Sequence, residues 1–123
     1  MALGAVASME VVRERVLEAE PGRRWRQAVA EMAVKHEASR SLTYHALRMF
    51  AGGENALREV TEAKLLSQRA AYEVADDALQ IHGGAGYMKE YEIERAVRDT
   101  RLGPIGGGTD EVMKEILGKQ LGL

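Results

Sequence analysis

The 123-residue chain contains no cysteine. A disulfide framework, a thiolate zinc site and a catalytic thiol are therefore excluded. Proline occurs only at Pro21 and Pro104, each beside a glycine, so long stretches are free of the strongest helix breaker. Aromatic residues make up 5%. The apolar mass is Ala, Val, Leu, Ile and Met, a mix that favours helix over strand. No apolar run approaches the ~20 residues of a membrane span. Neither sign of charge dominates: 19 acidic and 17 basic side chains leave −2, which argues against an electrostatic nucleic-acid binder. Met1 to Ala7 is faintly similar to a secretory leader core. It lacks a basic flank, and Glu10 and Arg13 arrive too early. The expectation is a cytoplasmic protein with a single helical domain over residues 1–123.

What is present is patterned. Hydrophobic residues are 46% and charged residues 29%, enough to drive folding. Residues 2–19 carry Val6, Met9, Val12 and Val16 at helical spacing, with Glu10, Arg13, Glu14 and Glu18 opposite. After the Pro21-Gly22 turn, residues 23–50 carry two stripes. One is Trp25, Val29, Met32 and His36, continued by Thr43, Leu47 and Phe50. The other is Val34, Ala38, Leu42 and Ala46. A helix apolar on two sides is expected to bury both. Gly52 and Gly53 end it. Residues 56–81 repeat Val60, Ala63, Ser67, Ala70, Val74 and Ile81, small enough for close helix approach. Residues 91–102 form a shorter helix closed by Gly103-Pro104. The last helix runs to near Leu121, with Thr109 as its N-cap and Asp110 and Glu111 at the positive end of its dipole. No stretch alternates as a strand requires. The fold class is all-α: an antiparallel, up-and-down bundle of three long helices plus one or two shorter C-terminal ones.

Two glycine-rich segments are the candidates for chemistry. The first, Gln80-Ile81-His82-Gly83-Gly84-Ala85-Gly86-Tyr87, is too rich in glycine to continue a helix. It can be a helix stop with a tight turn, or a place where backbone meets a phosphate or a flat ring. The second, Ile105 to Glu111, enters a helix N-terminus whose free N–H groups can hold an anion. A capped turn explains it equally well, because Asp110 and Glu111 already complement the dipole. His36, His45 and His82 show no metal-ligand spacing. Glu94 and Arg98 are at i,i+4 and suit a surface ion pair. No serine has a histidine and an aspartate arranged around it.

Taken together, Ala63-Lys64, the Gln80-to-Tyr87 segment, Glu94-Arg95, Arg98-Asp99-Thr100-Arg101 and Gly108-Thr109 with Glu111 resemble the C-terminal domain of acyl-CoA dehydrogenases in order and spacing. Residues 27–50 and 2–19 resemble the preceding helices of that domain, so the likeness covers nearly the whole chain. That family dehydrogenates acyl-CoA thioesters between the α and β carbons using FAD. The resemblance implies a helical bundle that contributes to homo-oligomer assembly and to part of an FAD site. Gln80, Gly83 and Gly84 would approach the pyrophosphate and adenosine side of FAD, and Thr109 and Glu111 would sit near the cofactor at the last helix. The sequence departs from the family in three respects. The two preceding domains, which supply much of the flavin and acyl-CoA sites, lie outside these 123 residues. The Arg-x-x-Phe-Gly turn shrinks to Glu20-Pro21-Gly22-Arg23-Arg24. Where many members carry the catalytic base, just before Gly-Thr, this chain has Gly107, which accepts no proton. The other family location for a base aligns ahead of Met1. No catalytic residue is assigned. The expectation is a bundle that does not catalyse alone, one half of a split enzyme whose partner chain supplies the N-terminal domains and, in complex, acyl-CoA. The alternative is a non-enzymatic oligomeric bundle with a structural or interaction role.

Overall fold

A computed structural model describes residues 1–123. Three long helices form the body: α1 (Ala2–Glu18), α2 (Arg26–Ala51) and α3 (Leu57–His82). Short links make sequential helices antiparallel neighbours. A single turn of helix, α4 (Gly84–Tyr87), then leads to α5 (Ile93–Arg101) and α6 (Asp110–Gln120). Short 3₁₀ turns at Arg23–Trp25 and Lys89–Tyr91 complete the path. The expected all-α bundle is what forms, with two shorter helices after the three long ones. The turn of helix at Gly84–Tyr87 is the difference. Glycine density interrupts α3 at Gly83 but does not prevent one further turn.

α3 is the central element, in contact with every other α-helix. The reason is its small-residue surface: Ala63, Ser67, Ala70, Ala71, Ala75 and Ala78 are all buried. Such side chains let neighbouring backbones come close without leaving voids. α1 lays its whole stripe against this surface. Val6, Met9, Val12 and Val16 are buried and join Met32, Val74 and Ile93 in one apolar cluster. Each such side chain contributes roughly 1.5–3 kcal/mol by leaving water.

α2 behaves differently. Met32 is its one side chain in that cluster. Below it α2 buries His36, Ser39, Thr43 and Ala46. Lys35 Nζ reaches Glu73 at 2.9 Å and Asp77 at 3.7 Å on α3, which fixes the register of the pair. The expectation that α2 buries both of its stripes is overturned. Val34 is 69% exposed and Phe50 70%, and Leu47 is exposed with them. Periodicity marks these positions as apolar, but no element of this chain reaches far enough round α2 to cover them. No helix is long and apolar enough to cross a membrane.

Candidate functional site

The first glycine segment is the C-terminal end of α3. His82 Nδ1 lies 2.8 Å from the Ala78 carbonyl, one turn back. Gly83 then takes φ +60°, the left-handed region that glycine enters at little cost. A Cβ placed on Gly83 or Gly84 would meet nothing within 4 Å. Gly84 and Ala85 open α4, where backbone N–H groups have no partner within their own helix. Gln80 is exposed on the last turn. The result is an open shelf with bare donors, which an anionic group or a flat ring can approach closely.

The second segment is closed by comparison. Gly107 and Gly108 are at φ +63° and +93°. Thr109 is the N-cap of α6, its Oγ1 accepting from the Val112 N–H at 3.3 Å. Asp110 is only 2% exposed, and its Oδ2 accepts from Arg69 Nε at 2.8 Å. Its N–H donates to the Pro104 carbonyl at 3.0 Å. Glu111 is exposed. Its own backbone N–H, and after it the Thr109 hydroxyl, hold its carboxyl below the ordinary range. The N-terminus of α6 is thus partly served by its own side chains. The Met1 thioether lies against Gly107, and a Cβ on Gly108 would stand 2.5 Å from Met113 Cε.

The two segments are not brought together. Asp110 is fixed beside Arg69, whereas Gly83 follows the end of α3, 14 residues further along. At the usual rise that is about 21 Å. Gln80, Gly83 and Gly84 therefore form one locus, and Thr109 and Glu111 another. Gly107 places no carboxylate at the second locus. Arg24 stacks on Trp25, 5.0 Å from the ring centroid.

Sequence reading used Lys64 only as part of the resemblance and missed the contacts that hold the second locus in place. Lys64 is only 7% exposed. Its Nζ donates to the carbonyl of Gly103 at 3.3 Å and to that of Gly108. Gln68 occupies the space a side chain on Gly103 would need. The available signal was a lone lysine beside a stripe of small residues. Its partners are 39 and 44 residues away, beyond the reach of any local pattern.

An all-helical bundle with an open glycine shelf at the end of its central helix defines the class. Residues 5–122 match the family model described as acyl-CoA dehydrogenase, C-terminal domain, and the chain belongs to that family. An acyl-CoA dehydrogenase of Bacillus subtilis (strain 168) is 43% identical over 93 residues, covering 76% of this chain and 24% of that protein. The acyl-CoA dehydrogenase of Geobacillus kaustophilus superposes with a TM-score of 0.94 at 32% identity, over 99% of this chain and 35% of that one. The FAD complex of PigA does so with a TM-score of 0.94 at 25% identity, over 99% of this chain and 35% of that one. The chain thus spans about a quarter of the length of the B. subtilis relative.

Proposed function

We propose that residues 1–123 act as one acyl-CoA dehydrogenase C-terminal domain unit, supplying part of an FAD site and an oligomer interface. The observation that carries this reading is the open shelf at Gly83 and Gly84, since free donors and absent side chains are what a pyrophosphate needs from a backbone. Gln80, Gly83 and Gly84 would hold the phosphate and adenosine side. Thr109 and Glu111 would border the cofactor from the other locus. FAD, when bound, is the acceptor for the electrons removed from the α and β carbons of an acyl-CoA.

This chain's share of the work is binding and orientation. Gly107 has no side chain to take up a proton, so that position supplies no base. The remainder of the flavin site and the acyl-CoA site come from preceding domains, on the same or a partner chain. The exposed apolar residues of α2 support association with such a surface or with another copy, because apolar area leaves water when they are covered. Gly107 also favours a second reading, an oligomeric bundle that has lost its reaction.

Titration with FAD, followed by flavin absorbance, separates the two. The first reading expects saturable binding by the chain, alone or together with the preceding domains of a relative. Gly83→Val, which fills the shelf and strains a positive φ, should weaken that binding at least about tenfold, some 1.4 kcal/mol. Absence of saturation under both conditions, with the helices intact, overturns it.

A further inference from the structure

Lys64 is a buried cation that the proposed FAD contacts leave without a role. It sits on α3 with its ammonium under the segment that joins α5 to α6. Its two acceptors are the carbonyls of Gly103 and Gly108, the first and last glycines of that segment. A buried ammonium is costly to desolvate, and neutral carbonyls offset less of that cost than a carboxylate would. No carboxylate lies within ion-pair distance of it, and Asp110, two residues beyond Gly108, is taken by Arg69. A methionine in its place would fill similar space without that cost. What the lysine adds is geometric: it ties together two carbonyls five residues apart in sequence. Between them lie Gly106 and Gly107, which have the widest conformational freedom of any residue type.

The surroundings make the same connection. Gln68, one turn along α3 from Lys64, fills the space beside Gly103. Arg69 holds Asp110, two residues beyond Gly108, at 2.8 Å. The Asp110 N–H closes back to the Pro104 carbonyl at 3.0 Å. The start of α6 is therefore set by α3 and not by the glycine segment itself.

We propose that Lys64 is a positioning residue. Its ammonium clamps residues 103–108 in a closed loop, and so fixes Thr109 and Glu111 in one place beside the cofactor. The clamp rests on the FAD reading only for the identity of that cofactor; the closed loop stands independently of it. Because the loop is paid for in the free protein, binding at α6 costs less ordering entropy.

Hydrogen exchange on the full chain tests the clamp without any cofactor. Lys64→Met should raise the exchange rates of the hydrogen-bonded amides of Ile105, Gly106, Asp110 and Val112 at least tenfold, with those of α1 and α2 unchanged. Equal loop rates in a folded Lys64→Met protein would overturn the proposal. A measurement on the unmodified chain guards against a variant that fails to fold. The ¹⁵Nζ resonance of Lys64 should be visible at neutral pH, slowed in proton exchange, with cross-peaks to Gly103 and Gly108. A Lys64 ammonium that exchanges like the exposed lysines would refute the clamp. FAD titration distinguishes the two claims. If the unmodified chain binds FAD, Lys64→Met should weaken binding at least tenfold, and equal affinity counts against the proposal. If neither protein binds, alone or together with the preceding domains of a relative, the FAD reading fails, and the exchange data alone decide the clamp.

Discussion

The α1–α3 interface and the α3–α6 junction are held by opposite means. The first is a continuous apolar seam, where Val6, Met9, Val12 and Val16 meet a surface of alanines around Val74. The second has few apolar contacts and is held by Lys64 on two carbonyls and Arg69 on Asp110. A seam of the first kind is tolerant of detail, because burial is non-directional. A junction of the second kind is specific, since each hydrogen bond has one geometry and one partner. The body thus supplies stability, and the junction supplies the position of the glycine loop relative to α3.

That contrast is open to attack in order of effect. Val74→Asp places an unpaired carboxylate at a site with 0% exposure. It should cost at least about 4 kcal/mol and abolish the cooperative thermal transition seen by circular dichroism. Arg69→Met leaves Asp110 buried without its cation. Because Arg69 itself is 58% exposed, water relieves part of the loss, and about 1–2 kcal/mol is expected. The damage should be confined to α6, with its amides exchanging faster while those of α1 keep their protection. A drop shared equally by all helices would show that the junction and the body are one unit. Thr109→Ala removes the N-cap of α6 at a cost of about 1 kcal/mol, read as local fraying of residues 110–113.

The smallest effect is a pH dependence. The folded pKa of Glu111 is depressed, so its contribution is present above the unfolded carboxylate pKa and is lost as pH falls through the folded value. Amides of the first turn of α6 should lose protection in that acid range, and Glu111→Gln should flatten the response. Equal acid sensitivity in the variant would assign it to another carboxylate, with Glu94 next, its own pKa lowered by Arg98.

The same contrast explains what could be read without coordinates. Val6, Met9, Val12 and Val16 were legible because a helix repeats every 3.6 residues and its buried stripe follows. The Thr109 cap and the Glu94–Arg98 pair, 2.7 Å apart, were legible for the same reason: they are local. The exposure of Val34, Leu47 and Phe50 was not, because periodicity reports which side is apolar and not what lies opposite. The grips at Lys64 and Arg69 were hidden by sequence distance. The separation of the two glycine loci was also hidden, because the contact that sets the second locus beside the middle of α3, Arg69 on Asp110, joins residues 41 apart in sequence. Gln80, Gly83 and Gly84 await the flavin titration, as do Thr109 and Glu111.

The 26-residue span of α3 has a consequence for how such a chain can change in length. Between Arg69 and Gly83 it works as a gauge rod. One inserted residue would turn everything beyond it by about 100° and advance it by about 1.5 Å. The glycine shelf would then point away from its present direction while α6 stayed where Arg69 holds it. The links at residues 19–25 and 52–56 carry no such phase and can gain or lose residues at little cost. Insertions and deletions among related chains should therefore gather in those links and spare the stretch from Lys64 to Gly83.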